Sequence, residues 1–289
     1  MRSGRGSVWS VMALHSAGFL TVICAPEPHL DTPPESVRTG AARYPALPMD
    51  RVSCKVRRVI MIVQGADGAG RGRLVVVRLD TETGMADWRV GPAAQVLADA
   101  KSADLTLVDV PVGLPPTGHR AADLQARRLL GKAWPRVFTG VRRPLLDRVG
   151  DLAAAQAWAK RDGCGISLQL FHILPLVRAM DEAIAPALQA RVREGHPELT
   201  FHRLSGGRFL PRKNRAPGRE QRLHILEANG LPQARRWIDE RWGTGVAADD
   251  VLDASVLALA ARDTLAGMAR VVPATLERDQ RGLRMEMCY

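Results

Sequence analysis

The chain has 289 residues, of which 46% are hydrophobic and 25% are charged, a balance that is typical of globular proteins. This composition excludes collagen, a disordered acidic tail and a disulfide-dense mini-protein, and the lack of any run of about 18 apolar residues excludes a polytopic membrane protein. The 41 Lys and Arg against 30 Asp and Glu leave a net charge of +11, which favours a polyanionic partner such as nucleic acid. Arg far outnumbers Lys, as is typical of GC-rich coding sequences, so genome composition is a second explanation for the positive charge. The positions of the basic residues have to decide between this explanation and a polyanionic partner.

The first 58 residues differ from the rest of the chain. Arg2 and Arg5 precede an interrupted apolar run over residues 8–25, which loosely resembles a secretory signal peptide. We interpret residues 1–58 as a poorly structured extension, with a true signal or a misplaced translation start as the alternatives. Residues 59–289 are predicted to form one domain of a cytoplasmic protein, or of a secreted or periplasmic one if the signal is real.

Strands are predicted first within this domain. Residues 59–63 and 74–77 are rich in β-branched side chains and flank a glycine-rich turn at 65–70, which indicates a hairpin. Residues 88–90 fit a short third strand, and residues 105–110 fit a buried fourth one. We expect the first three strands to be antiparallel and the fourth to be parallel, since it follows a helix.

The later part of the chain has mainly helical patterns. We expect Pro175 and Pro186 to kink or split the longest of these helices, and residues 199–204 to return as a last strand. The predicted fold class is therefore α/β, a mixed sheet flanked by helices with a helical insertion before the last strand. The predicted helices cover residues 92–100, 120–130, 151–160, 167–192, 220–228, 232–242 and 249–266.

Cysteine and histidine are scattered. The cysteines show no C-x-x-C spacing, which argues against both a disulfide framework and a zinc site. The closest histidines, His196 and His202, lack a third ligand of matching type nearby.

Four aspartates stand where a carboxylate is costly to bury. Asp67 follows an apolar strand within the glycine-rich turn, and Asp109 interrupts the fourth strand. Asp250 and Asp253 lie three residues apart, on one face of the last predicted helix. Taken singly, Asp67 also suits a turn, Asp249 suits a helix N-cap and Asp250 suits a first helical turn.

Together these carboxylates predict a metal centre at one sheet edge. Hard oxygen ligands suit Mg²⁺ or Mn²⁺, and such ions activate a water and stabilise the leaving oxygen of a phosphodiester. Two basic stretches, residues 120–148 and 203–222, are expected beside this centre and fit a phosphate backbone. Trp134 and Phe138 lie in the first stretch and either stack on bases or belong to the core. The predicted nucleic-acid contacts are Arg120, Arg127, Arg128, Arg208, Arg212, Arg215 and Arg219.

Eight short segments follow one another along the chain. They are GADG at 65–68, VDVPVGLP at 108–115, RAAD at 120–123, ARRLLG at 126–131, EGHPE at 194–198, Lys213, DDVLDA at 249–254 and GLRMEMCY at 282–289. In this order they resemble an uncharacterised prokaryotic family described as a predicted nuclease of the RNase H fold. The resemblance covers residues 59–289, and the turn after Asp67 departs from it, with Arg71 and Arg73 where the family often has an aromatic residue. Asp250 and Asp253 also resemble the terminal-helix acids of Holliday-junction resolvases of that fold.

The resemblance implies an RNase H-like fold and a metal-dependent phosphodiester hydrolase. It adds Glu198, as a further ligand or a residue that orients water, and Lys213, as a contact to the scissile phosphate. The alternatives are a non-catalytic nucleic-acid-binding protein of the same fold and a phosphate-binding ATPase of the actin-like type. The glycine-rich turn fits neither a P-loop nor a dinucleotide-binding motif, since a strand and not a helix follows it.

Overall fold

A computed structural model describes the backbone of residues 9–16 and 19–26 and the chain from residue 61 to residue 289. The chain divides into two compact units, Met1–Lys55 and Val56–Tyr289. The first unit contains an antiparallel hairpin of β1 (Trp9–Ser16) and β2 (Phe19–Pro26). The prediction of poor structure for the remainder of residues 1–58 falls outside the described residues.

The second unit is built on a five-stranded mixed sheet. Its strands are β3 (Ile62–Gly68), β4 (Arg73–Asp80), β5 (Ala86–Pro92), β6 (Leu105–Val108) and β7 (Val192–Glu194). They lie in the order β5-β4-β3-β6-β7. The first three strands pair antiparallel, and β6 and β7 are parallel to β3, so the predicted mixture of strand directions is confirmed.

The β3–β4 hairpin turns at Gly70, Arg71 and Gly72, which all have positive φ angles, of 66°, 52° and 69°. Two of these residues are glycines, which adopt this conformation without steric cost. The hairpin then continues into β4, whose side chains alternate between the two faces of the sheet. Val75 and Val77 belong to the core on one face, and Leu74 and Val76 belong to the core on the other.

Helices cover both faces of the sheet. Side chains of α5 to α8 form the core on one face, and those of α1 and α4 contribute to the core on the other. No helix in the described part of the chain is long and apolar enough to cross a membrane. A small sheet of Val271–Val272 (β8) and Met287–Cys288 (β9) lies near the end of the chain. The helices are α1 (Ala93–Asp99), α2 (Ala121–Leu130), α3 (Leu152–Arg161), α4 (Leu168–Ala183), α5 (Pro197–Leu204), α6 (Ala216–Ala228), α7 (Gln233–Glu240) and α8 (Ala248–Leu265).

The region predicted as the last strand is helical. Residues 199–204 belong to α5, which begins with Pro197 at its first position and has the His196 ring nitrogen accepting the Leu199 N–H. Proline and a side-chain cap are helix-start signals, and they outweigh the short apolar pattern that follows. The last strand of the sheet is β7, directly before this cap. The helical insertion, α2 to α4, precedes β7 as predicted.

Pro175 does not split α4, which runs unbroken from Leu168 to Ala183 and is capped by the Ser167 hydroxyl. The helix ends before Pro186, which agrees with the expectation that this proline interrupts the pattern. The helix predicted over 167–192 is therefore one α-helix of 16 residues, followed by a short 3-10 helix at Leu188–Ala190 and the start of β7.

A candidate metal centre at the end of the sheet

Two aspartates lie at the carboxyl ends of neighbouring parallel strands. Asp67 is within β3, paired with Val75 of β4, so the expectation that it belongs to the turn is wrong. Its Oδ1 accepts the N–H of Gly68 at 2.7 Å. Asp109 directly follows β6, and its own N–H donates to the carbonyl of Ala66 at 2.9 Å. Parallel pairing of β3 with β6 therefore brings the two carboxylates to one edge.

A third aspartate comes from α8. One carboxylate oxygen from each of Asp67, Asp109 and Asp253 lies within 4.8 Å of the other two. This approach depends on Gly65, because a Cβ atom there would lie 2.1 Å from the carbonyl oxygen of Ala254 and 2.2 Å from the nitrogen of Ala258. The helix backbone thus rests directly on the strand, which places Asp253 beside Asp67.

Burial and neighbouring carboxylates disfavour the ionised form of all three carboxyl groups. Asp253 is 1% exposed, and its Oδ1 has no hydrogen-bond partner among the described residues. Burial raises the pKa of Asp253 to about 6, and burial together with the charge of Asp253 raises that of Asp109 to about 8. Burial and the neighbouring Asp109 raise the pKa of Asp67 well above its usual range. A cation bound among them would offset the repulsion that ionisation of all three groups creates.

Lys213 supplies part of that charge. Its ammonium group contacts a carboxylate oxygen of Asp253 and lies 3.9 Å from one of Asp249. Burial opposes the lysine's charge, but the carboxylates of Asp253 and Asp67 outweigh it and raise the lysine's pKa. The predicted phosphate contact thus lies inside the acidic site, as a direct partner of one of its carboxylates.

Asp250 is the predicted ligand that the structure leaves outside this three-carboxylate cluster. Its carboxylate accepts the N–H of Ala247 at 3.0 Å, which satisfies one free donor at the start of α8. Ala247 occupies the N-cap position, so the prediction of Asp249 as the N-cap is wrong by two residues. Asp249 and Asp250 both line the cleft in front of the cluster.

Glu198, the predicted additional ligand, is held by two arginines. Its two oxygens accept from Arg222 at 2.7 and 2.8 Å, and Oε2 also accepts from Arg136 at 2.8 Å. Burial opposes its charge, but these guanidinium groups lower its pKa. Glu198 lines the cleft without joining the carboxylate cluster, so its contacts fit a role in holding α5, α6 and the Arg136 segment together.

Arg120, a predicted nucleic-acid contact, is inside the protein. It is 1% exposed and donates to Glu194 at 2.6 and 2.8 Å and to Asp123 at 2.6 and 3.0 Å. Glu194 also accepts the Val112 N–H at 2.8 Å, which ties the end of β7 to the segment that follows Asp109. This network holds the end of the sheet, and its buried arginine has no surface for a substrate. The prediction for Arg120 is therefore wrong.

The other predicted basic contacts remain at the surface. Arg127 donates to the Val137 carbonyl and Arg208 to the Ser205 carbonyl. Arg212 lines the cleft. Arg128, Arg208, Arg212 and Arg215 are exposed, and Arg127 and Arg219 are partly buried.

The cleft in front of the carboxylates has a volume of about 780 Å³. Its floor holds Asp67, Asp109 and Asp253, and its walls combine cations with aromatic rings. His196 also faces it, and burial lowers the pKa of this histidine to about 4, which keeps its ring neutral. The cation and aromatic wall residues are Lys132, Arg136, Phe138, Phe209, Arg212 and Lys213.

Sequence reasoning missed Arg136, Arg222 and Glu194 as structural partners of the site. One glycine in the sequence does point to a close contact near the site. Gly218 has to be a glycine, because an added Cβ atom would lie 2.2 Å from the carbonyl oxygen of Arg212. That contact seats the start of α6 on the loop that carries Lys213. The arginine partners leave no comparable signal, because an arginine that is buried and one that is exposed look alike in a sequence.

Comparison with known proteins gives one match. No curated protein and no solved structure matches the chain. Residues 65–278 match the family described as "Protein of unknown function (DUF429)", and this match includes the three carboxylates, Lys213 and both arginine networks. The chain belongs to the DUF429 family.

Proposed function

We propose that this protein is a metal-dependent phosphodiester hydrolase that acts on nucleic acid through the three-carboxylate cluster. The observation that carries the proposal is the meeting of Asp67, Asp109 and Asp253 at the end of the sheet, with Asp253 Oδ1 buried and unpartnered among the described residues. An unpartnered buried carboxylate oxygen is costly unless a cation takes it up.

The donor set fits a hard divalent cation. All three ligands are carboxylates, which suit Mg²⁺ or Mn²⁺ better than the softer metals that histidine and cysteine select. Asp67, Asp109 and Asp253 would hold the ion. Such an ion, when bound, polarises a phosphodiester and lowers the pKa of a bound water.

The remaining residues of the cleft supply binding and charge. Arg212 and Lys132 line its walls and are placed to bind phosphate oxygens. Lys213 contacts Asp253 and lines the same cleft, where its ammonium group limits repulsion between carboxylates and an incoming phosphate. Glu198 acts on the substrate only indirectly, by fixing Arg136 at the cleft wall.

An RNase H-like fold is part of the same proposal. It is supported by the sheet order β5-β4-β3-β6-β7, by acids on β3, after β6 and on the last long helix, and by the segments that resemble that fold. The acid on β3 and the acid after β6 come from adjacent parallel strands, which is the placement that the resemblance implies.

The test is cleavage of labelled DNA, RNA, hybrid and branched substrates with Mg²⁺, Mn²⁺ or EDTA. We expect metal-dependent cleavage that Asp67→Asn and Asp109→Asn abolish, while Asp87→Asn, an exposed aspartate on β5, keeps the wild-type rate. Calorimetric Mn²⁺ titration of the same variants gives a readout that does not depend on activity. Wild-type cleavage by Asp109→Asn, or unchanged Mn²⁺ binding by both site variants, would overturn the proposal.

A non-catalytic nucleic-acid-binding protein is the second candidate. The contact between Lys213 and Asp253 favours it, because an internal ammonium group already neutralises part of the acidic charge. In that case Asp67→Asn and Asp109→Asn leave the affinity for nucleic acid equal or higher, since each removes a charge that repels phosphate, and no substrate is cut under any metal condition.

A further inference from the structure

Two aromatic rings at the cleft are exposed to solvent. Trp134 is 49% exposed and Phe209 is 59% exposed, so both rings are open to a ligand. Phe209 lines the cleft itself, and Trp134 lies between Ala133 and Pro135, which also line it. Phe209 therefore borders the space in front of the carboxylates, and Trp134 is next in sequence to two residues that do.

Each ring lies against an arginine that the protein holds in place. The Arg127 guanidinium lies 4.8 Å from the centre of the Trp134 ring, and that of Arg136 lies 5.2 Å from the centre of the Phe209 ring. Arg127 donates twice to the Val137 carbonyl, at 3.1 and 2.9 Å. Arg136 donates to Glu198 and to the Leu210 carbonyl, both at 2.8 Å. With these hydrogen bonds directed into the protein, the arginines fix the orientation of the rings.

From this arrangement we infer that the cleft takes unpaired nucleic acid, with Trp134 and Phe209 as stacking platforms for bases. The inference rests on the proposed function and specifies its substrate class. A duplex offers base edges in its grooves, whereas a single strand offers the flat faces of its bases to an aromatic ring. The cations at the same walls, Lys132 and Arg212, then follow the phosphates of that strand.

The binding test uses the full chain and a labelled oligonucleotide of about twelve nucleotides, within the usual site size for such grooves. Fluorescence anisotropy is measured in EDTA with a single strand and with a hairpin duplex of the same composition. We expect the single strand to bind more tightly. Trp134→Ala and Phe209→Ala should each weaken single-strand binding by about 5- to 150-fold and leave duplex binding nearly unchanged.

The chain offers a matched control in Trp242. This ring is 76% exposed and lies 4.4 Å from the Arg241 guanidinium, but neither Trp242 nor its sequence neighbours Arg241 and Gly243 line the cleft. Trp242→Ala should leave both affinities unchanged. An abasic strand serves as the second control, because it keeps the phosphates and lacks the bases. It should bind less tightly than the normal strand, and the two aromatic variants should not weaken it further.

The inference is overturned if the duplex binds as tightly as the single strand, if Trp134→Ala and Phe209→Ala bind like the wild type, or if no strand binds. Cleavage assays separate this outcome from failure of the proposed function. Metal-dependent cleavage of duplex alone keeps the hydrolase and removes the single-strand inference. Aromatic-dependent single-strand binding without cleavage keeps the inference and removes the hydrolase. The same assay with a DNA strand and with an RNA strand of equal sequence shows which sugar the cleft accepts.

Discussion

Gly65 of β3 lies directly under Ala254 of α8, at a distance that leaves no room for a methyl group. The neighbour of Ala254 in the helix is Asp253, and Asp67 follows two residues after Gly65 in the strand. One backbone contact therefore sets the separation of two of the three carboxylates.

We expect Gly65→Ala to destabilise the protein by about 1–3 kcal/mol or more, since the new Cβ atom overlaps backbone atoms that cannot rotate away. Displacement of α8 should also weaken Mn²⁺ binding. Gly91→Ala is the matched control, because Gly91 lies in β5 and a Cβ atom there meets nothing within 4 Å. Thermal unfolding and calorimetry measure the two effects. Equal melting temperatures for both variants would contradict the close packing.

The pH dependence of stability should reflect the raised pKa of Asp109. Asp109 has a pKa near 3.8 in an unfolded chain and of about 8 in the folded protein. Between these values the folded state keeps a proton that the unfolded state has lost, so rising pH reduces the stability of the metal-free protein. Asp109→Asn removes this loss and should raise the melting temperature in EDTA near pH 8, by about 2–4 °C for each kcal/mol gained.

The same comparison near pH 4 should show little difference between Asp109→Asn and the wild type, because both side chains are then neutral in the folded protein. Excess Mg²⁺ should stabilise the wild type at pH 8 and have less effect on the variant. Asp87→Asn, on the exposed side of β5, should follow the wild-type profile throughout. Parallel profiles for Asp109→Asn and the wild type would contradict the raised pKa.

Lys213 and a divalent ion should compete electrostatically at Asp253. The ammonium group contacts this carboxylate, so Lys213→Gln removes a positive charge beside the metal ligands. We expect Mn²⁺ to bind about tenfold more tightly, or by ~1.4 kcal/mol, in calorimetry near pH 8.5. Lys132→Gln is the control. It removes the same charge from the same cleft, but the ion pair with Asp253 is made by Lys213 and stays intact. Weaker Mn²⁺ binding by Lys213→Gln would instead show that the lysine orders the carboxylate.

The same substitution should destabilise the protein strongly at Arg120 and hardly at all at Arg128. Arg120→Met leaves Glu194 and Asp123 buried without their partner, which should cost about 3–5 kcal/mol of stability. Arg128→Met changes an exposed side chain and should stay within about 0.5 kcal/mol of the wild type. Urea unfolding measures both. If Arg128 binds phosphate, its substitution should also reduce the salt dependence of nucleic-acid binding, by a slope of about 0.7–0.9.

The elements nearest the site could be predicted from local pattern. β-Branched runs identified β4, β6 and the first two residues of β3, which continues to Gly68 through the predicted turn. An acid in an apolar context identified Asp67, Asp109 and Asp253. These signals are strong because burial of a lone carboxylate is costly, so an aspartate within an apolar run indicates a special environment. Asp250 has the same residue type at a suitable spacing, but the start of α8 needs it as a hydrogen-bond acceptor.

The ionic partners could not be predicted in this way. Arg120 and Arg222 are fully buried, yet each stands in a basic stretch that is typical of a solvated surface. Their partners Glu194 and Glu198 are distant in sequence, and only the folded chain brings them together. The helix at 197–204 was missed for a different reason, since Pro197 and His196 are start signals that a motif-based reading assigns to chemistry instead.

Because one of its three aspartates lies on α8, the carboxylate cluster can form only late in the synthesis of the chain. Asp67 and Asp109 are made early, whereas Asp253 follows Asp67 by more than half of the chain. Domains fold progressively as synthesis proceeds, but this centre cannot assemble until α8 has left the ribosome and docked on Gly65. A nascent chain therefore holds two acids without the third. Any cutting activity of the proposed kind therefore begins only after almost the whole domain has left the ribosome.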